Sequence, residues 1–453
     1  MTTKLRFKEK LSYGVADTAF SLTSTIIGVY FAIFLTDVVG IAPSLAAIAF
    51  FIGKSWDYIN DPLIGHISDK TRTKWGRRRP FLLLGAVPYA LAFILLWTKC
   101  PFDSNIGIVL YYALAYILYD TFATFVYMPY FALTPELTDD YDERTTLTSF
   151  RMFFSIFGSL VAFIIPTMIT GEIEPANQGR FVLMAAIFAA VSAACLLWTF
   201  FGTRENPDSM KLEEPSLKES LQAAGKNRPF IFGAIIYLFT WVAMGMLQTG
   251  LIYFIKYVVQ REPQSDIIMG SIFVTGILVL PLWTWLSKKL NKRKAYIIGM
   301  AFWAVVQIGL ILTTASTPLA IILILCVLAG IGVSAAHVLP WAIIPDAIEY
   351  DQLQTGNRHE GMFYSLITLA NKIAQSIAIP LMLVILDLTG YQPNAAIQNQ
   401  PAIDGIRLVV GPIPAVMLLF GIVFAFTYPL DREKYNEVKA KIKEVQNIPT
   451  TGS

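Results

Sequence analysis

Residues 55–62 read SWDYINDP, and they set two carboxylates, Asp57 and Asp61, inside an apolar run that begins LAAIAFFIG and continues PLIGHI. An ionised side chain at the centre of a bilayer costs at least about 2.5–3.5 kcal/mol, so each acid calls for a partner or a role. Standing at i and i+4, the two share one helix face. Two carboxylates that close repel each other unless a cation lies between them. Carboxylate and hydroxyl oxygens suit a hard ion such as Na⁺. The same pair could bind a proton instead, or could stand hydrated near a helix end beside a cytoplasmic Arg.

The rest of the chain makes the membrane reading the right one. Of its 453 residues, 55% are hydrophobic, 13% aromatic and 15% charged, against about 25% charged in a typical soluble domain. Mean hydropathy is +0.57. A formal net charge of +3 gives no argument for nucleic acid as a partner. Cys100, Cys195 and Cys326 lack metal-ligand spacing and read as small core residues. No phosphate loop, nucleophile constellation or metal-ligand cluster is present, so neither an enzyme, a cofactor nor ATP-driven transport is supported. The basic opening MTTKLRFKEK is followed by a full-length apolar segment without a small-residue cleavage site, which reads as a retained first helix.

A spanning helix needs about 20 mostly apolar residues, and about twelve such runs can be marked. They lie near 12–36, 44–67, 81–98, 106–133, 147–170, 181–202, 230–258, 267–286, 295–313, 317–344, 361–388 and 405–428. No β-barrel alternation appears, so helices are the expected spanning solution and the fold class is an all-α membrane protein. Lys and Arg gather in SDKTRTKWGRRRP, in the middle stretch, in SKKLNKRK and in the tail, while DVVGIAP, KCPFDSN and TASTP are nearly free of them. The positive-inside rule then puts both termini in the cytoplasm of a multi-pass cell-membrane protein, the inner membrane where there are two.

The longest polar break divides the chain into an N-terminal six-helix bundle (1–202), a cytoplasmic middle loop (203–228), a C-terminal six-helix bundle (229–430) and a cytoplasmic tail (431–453). A weak internal repeat supports this division: MPYFALTPELTDDYDER near the fourth helix end is echoed by LPWAIIPDAIEYDQLQTGNRHEG near the tenth. Related halves imply a site on the pseudo-symmetry axis.

Other costly polar groups sit on the helices. Asp120, Thr124 and Tyr127 form one stripe on the fourth helix, and Asp17, Ser21, Ser24 and Thr25 another on the first. Such stripes line a cavity or bond neighbouring helices. Arg151 opens the fifth helix, and Lys372 lies in the eleventh within the series Tyr364, Thr368, Lys372, Gln375. Buried cations usually pair with buried acids, so Arg151 and Lys372 are expected in a charge network. Trp56, Tyr130, Trp241, Trp341 and Tyr364 are aromatics of a kind that stacks on sugars or merely packs. Asp69 and Arg77, Arg78 and Arg79, with Asp139, Asp142 and Arg144, fall at cytoplasmic helix ends, where ion pairs could hold that side shut or the loops could simply be solvated.

The sequences KLSYGVAD, TDVVG, WDYINDPLIG followed by RTKWGRRRP, MPYFALTPE, IPDAIEYD and GYQPN resemble, along nearly the whole chain, the glycoside-pentoside-hexuronide:cation symporters of the major facilitator superfamily. That resemblance implies twelve helices in two six-helix bundles and alternating access. It assigns Asp57, Asp61 and Thr124 to the cation site, and it also matches Arg151 and Lys372. In the melibiose carriers of this family, acids on the first and fourth helices hold sugar hydroxyls, at positions occupied here by Ser21 and Tyr127. This chain offers Asp17 and Asp120 instead, so galactoside specificity does not carry over.

The expected substrate contacts are therefore Asp17, Ser21, Asp120, Tyr127, Arg151 and Thr368. The expected function is symport of a glycoside or related sugar with Na⁺, Li⁺ or H⁺ by a monomer in the lipid bilayer. The VLPWAIIPDAIEYD region equally resembles sodium-dependent lysophosphatidylcholine symporters, which makes a lysophospholipid the alternative substrate. A non-transporting membrane sensor on the same scaffold is the alternative of a different class.

Overall fold

The computed structural model of the protein describes residues 5–138, 140–205, 224–355 and 360–430. Most of the expected middle loop, the tail from 431, Asp139 and His359 lie outside these residues, as does the side chain of Asp142. Twelve helical runs occur among the described residues, and each overlaps one expected apolar segment. Among the described residues nine helices are long and apolar enough to cross a membrane, and Arg79–Leu95 is a shorter apolar one.

The first run is α1 (Phe7–Ile26), which continues through widened turns at Ile27–Phe31 and Phe34–Val39. In the second of these the Gly40 amide bonds the Leu35 carbonyl, five residues back, at 3.1 Å. Gly40 then ends the run at φ +88°, a left-handed conformation that glycine adopts without a Cβ penalty.

The second run is α2 (Pro43–Ser55) and α3 (Asp57–Lys70). Pro43 opens α2 at a position where a missing amide costs nothing, whereas Pro62 inside α3 removes one helical hydrogen bond. At the junction the Trp56 amide reaches back only three residues, to Gly53. Gly53 also permits a close approach: a Cβ there would stand 2.6 Å from Cβ of Tyr116.

Then come α4 (Arg79–Leu95), α5 (Asn105–Ala132), α6 (Tyr141–Thr170) and α7 (Gln178–Gly202). Ser104 caps α5 by accepting from the Gly107 amide at 3.1 Å. Helix α1 packs on α6 and α7, α4 on α5 and α7, and α5 on α2 and α3. A dense aromatic core of Phe31, Phe34, Trp97, Tyr112 and Phe181 binds these helices at one end.

The later runs are α8 (Arg228–Tyr253), extended by a widened turn at Phe254–Val258, α9 (Ser265–Leu290), α10 (Lys292–Ile311), α11 (Leu319–Thr355) and α12 (Glu360–Leu388). The last run is α13 (Gln400–Val410) and α14 (Pro412–Phe426). Asn291 caps α10, accepting from the Lys294 amide at 2.7 Å. Helix α11 reaches about three turns beyond the expected end at 344, past both Pro340 and Pro345. Each proline removes a single backbone bond, and the extension is held from outside: Asn227 donates to the Ala347 carbonyl at 2.8 Å and Lys292 pairs with Asp346 at 2.5 Å.

Proximity groups the chain into two compact units. The first is Met1–Lys211 with Gln248–Gly270 and Ile379–Ile406; the second is Leu212–Leu247 with Ser271–Ala378 and Arg407–Ser453.

Candidate functional site

In the first unit, the acids at the start of α3 meet α5. Thr124 donates its hydroxyl to Asp61 at 3.3 Å, and Asn60 donates to the Asp120 carbonyl at 3.1 Å. Trp56 donates its indole N–H to Thr121 at 2.9 Å, so three consecutive contacts fix the register between the two helices. Asp57 is buried, and its carboxylate receives the Lys54 ammonium at 3.3 Å from one turn earlier on α2. Asp120 also lies within electrostatic reach of Lys54. Lys54 was legible at i−3 from Asp57, but surface pairs at that spacing are common enough to be overlooked.

A second cluster stands on α1, α5 and α6. Arg151 pairs with Asp17 at 2.7 Å, both buried, and Tyr130 donates to the same carboxylate oxygen at 3.3 Å. The guanidinium also lies over the Phe131 ring, 3.7 Å from its centroid, a favourable cation–π placement. Tyr127 packs between Phe20 and Phe131 at centroid distances of 4.9 and 4.0 Å. Ser21 bonds back to the Thr18 carbonyl at 3.2 Å and faces Gly158 of α6, which is a helix-packing contact. Arg151 thus pairs with a buried acid of α1.

The second unit holds Lys372 and Thr368 on α12, with the Thr368 hydroxyl bonded back to the Tyr364 carbonyl at 3.0 Å. Nearby rings form a connected wall: Tyr237 stacks on Trp241 and meets Trp341 edge-on, Trp341 stacks on Tyr364, and His337 meets Trp241. Asn371 donates to the Tyr237 hydroxyl at 3.0 Å, and the buried indole N–H of Trp241 has no hydrogen-bond partner among the described residues.

The basic loop is bound within the first unit. Arg78 pairs with Asp69 at 2.5 Å and with Glu136 at 3.0 Å, and Arg77 pairs with the same Glu136. The Glu205 carboxylate accepts from the backbone amides of Arg77, Arg78 and Arg79 at 2.5, 2.8 and 2.7 Å. Arg144 donates to the Thr138 carbonyl at 2.9 Å. Glu136 and Glu205 were not singled out in the sequence; MPYFALTPE contains Glu136, but nothing in its spacing points to Arg78.

Glu136→Gln is expected to lower stability by about 3–5 kcal/mol, because it leaves two guanidinium groups without their buried carboxylate. Asp69→Asn should cost no more than about 1 kcal/mol, since the Asp69 side chain is 59% exposed. Thermal unfolding of the two variants in detergent separates them, and equal midpoints would contradict the assignment of Glu136 as the buried hub.

The profile of the family described as MFS/sugar transport protein matches residues 12–432. A symporter of Synechocystis is 30% identical, with 98% of each chain covered. The zebrafish sodium-dependent lysophosphatidylcholine symporter 1-A is 27% identical over 96% of this chain and 88% of its own. Among solved structures, a bacterial homologue of the human lysosomal transporter Spinster, inward-facing, has a TM-score of 0.69 at 12% identity, covering 96% of this chain and 97% of that one. The xylose transporter of E. coli, inward open, has a TM-score of 0.66 at 15% identity, covering 95% and 98%.

Proposed function

The chain belongs to the MFS/sugar transport family, with the major facilitator fold and a cation-coupled symporter's place in it, and from that premise we propose that it carries a glycoside or related sugar together with a monovalent cation by alternating access. The observation that carries the coupling half of this reading is the meeting of Asp61 with Thr124 across α3 and α5, with Asp57 one turn earlier on α3. Two carboxylates and a hydroxyl supply hard oxygen ligands for Na⁺ or Li⁺, or a place for a proton. Lys54, held by Asp57, occupies part of the same negative field and competes with the cation for it.

The sugar half rests on polar and aromatic groups of the kind that bind hydroxyls and ring faces. Asp17 with Arg151, together with Asp120 and Tyr127, are the first unit's candidate contacts, Thr368 is the second unit's, and Lys372 belongs to the proposed charge network. The ring wall of Tyr237, Trp241, Trp341 and Tyr364 suits the apolar face of a pyranose, and the unpartnered Trp241 N–H offers a donor. The second reading, a lysophospholipid substrate with Na⁺, is favoured by the zebrafish symporter's likeness along the whole chain. On either reading the cytoplasmic termini follow from the basic loops, and Asp69 with Arg77 to Arg79 and Arg144 is a brace that conformational change would reset.

Counterflow in proteoliposomes with a panel of labelled glycosides and lysophosphatidylcholine, under imposed Na⁺, Li⁺ or pH gradients, tests the proposal. Saturable, gradient-dependent glycoside uptake is expected. Uptake of the lysolipid alone would replace the sugar reading, and no saturable uptake of any solute would favour a sensor.

A further inference from the structure

Two motifs shared with the family, TDVVG and GYQPN, have no part in the site above, yet the fold brings them together. Asp37 of the first is 1% exposed. Its carboxylate receives the Lys256 ammonium at 2.8 Å, the Tyr391 hydroxyl of GYQPN at 2.5 Å, the Tyr257 hydroxyl, and the Thr36 hydroxyl at 3.0 Å. The Tyr253 hydroxyl bonds that of Thr36 at 3.0 Å. Lys256 also donates to the Ile173 carbonyl, which draws in the loop after α6. The Asn394 side chain of GYQPN also lies against Gly40 of TDVVG: a Cβ on Gly40 would stand 2.6 Å from Nδ2 of Asn394.

One buried carboxylate therefore ties together segments separated by up to 354 positions. They come from the end of the first run, the loop after α6, the end of α8 and the loop after α12. Asp37 and Lys256 each sit in a widened turn, Phe34–Val39 and Phe254–Val258, where the backbone amide bonds five residues back. Such turns are uncommon and recur where a helix must do more than span. The segments that meet belong to runs that the sequence assigns to different six-helix halves, and DVVGIAP, which follows Thr36, is one of the loops nearly free of Lys and Arg.

We infer that Asp37, with Lys256, Tyr257 and Tyr391, is a lock that holds the non-cytoplasmic face shut, and that its release is the step by which that face opens. The energetics favour a two-state device. Closed, a buried ion pair has every lone pair engaged, which is the condition under which such a pair is tolerated. Open, water solvates the carboxylate, the ammonium and the phenols, so neither state strands a charge. Losing one partner while the other remains buried is what the closed state cannot bear.

The test reads accessibility, which requires neither substrate nor cation, so its failure is separate from failure of the sugar reading; it does rest on alternating access and on the charge-derived orientation. Thr249, 1% exposed and seven residues before Lys256, bonds the Gly28 carbonyl and supplies the reporter position. In a Thr249→Cys background, labelling by a membrane-impermeant maleimide is followed in right-side-out and inside-out vesicles. Asp37→Asn and Lys256→Met are expected to accelerate labelling at least about tenfold, equivalent to about 1.4 kcal/mol, in right-side-out vesicles only, and Lys256→Arg should stay near the parent rate. Tyr391→Phe, which keeps the ring and removes one donor, should give a smaller acceleration and serves if Asp37→Asn does not fold. Unchanged labelling in Asp37→Asn, or in Tyr391→Phe where the former is lost, overturns the lock. So does an equal acceleration by Tyr30→Phe, which breaks a buried bond to the Phe163 carbonyl outside the lock and would report general loosening.

Discussion

Asp57→Cys is expected to abolish accumulation of substrate against its gradient while leaving a measurable part of substrate exchange. The substitution removes one of two carboxylates from the candidate cation site, and a charge-assisted contact contributes about 1.5–3 kcal/mol. That corresponds to roughly ten- to hundredfold in cation affinity, enough to uncouple transport at ordinary salt. It also strips Lys54 of the carboxylate 3.3 Å away, so the site gains a net positive bias that repels the cation further. Asp61→Cys should behave similarly and lose its Thr124 contact as well, whereas Thr124→Ala removes only a neutral oxygen and should cost less. Uphill uptake driven by a cation gradient, set beside exchange at equal gradients, measures both quantities. If Asp57→Cys concentrates substrate as well as the parent, the cation site lies elsewhere.

Arg151→Met is expected to be the more damaging change for folding. Its partner Asp17 is buried, and breaking a buried ion pair from one side costs about 3–5 kcal/mol because the remaining charge is left without compensation. Tyr130 still donates to Asp17, but a single neutral hydroxyl cannot replace a guanidinium. Adding Asp17→Asn should therefore restore much of the thermal midpoint lost in Arg151→Met, since the double variant buries no net charge. Transport should remain impaired in the double variant if the pair also faces the substrate. A cycle of the four proteins measures the coupling. Midpoints that simply add would mean that the pair does not act as a unit, and full transport by the double variant would remove both residues from the substrate contacts.

Asp120 shows how far a helical stripe can be read. Its spacing with Thr124 and Tyr127 puts all three on one face of α5. What they meet on that face differs: Thr124 meets Asp61, Asp120 lies near Lys54, and Tyr127 sits between Phe20 and Phe131. Ser21 belongs to the same lesson, since a hydroxyl on a polar stripe can be spent on its own backbone. Spacing along one helix says which side chains are neighbours. It does not say which helix lies opposite.

What the sequence by itself determined is whatever local chemistry dictates. Apolar length made the helices, and the insertion cost of acids marked Asp17, Asp57, Asp61 and Asp120 as residues kept for a reason. What only the tertiary structure decided is partnership. Arg151 answers Asp17 across 134 positions, Arg78 answers Glu136 across 58, and Asp37 collects Lys256 and Tyr391 across 219 and 354. A buried charge must find compensation, but any of several cations would satisfy that demand equally well in sequence. The choice among them is made by helix packing, where glycines such as Gly53 and Gly158 allow close backbone approach and widened turns re-aim a side chain, and that geometry is a property of the assembled bundle.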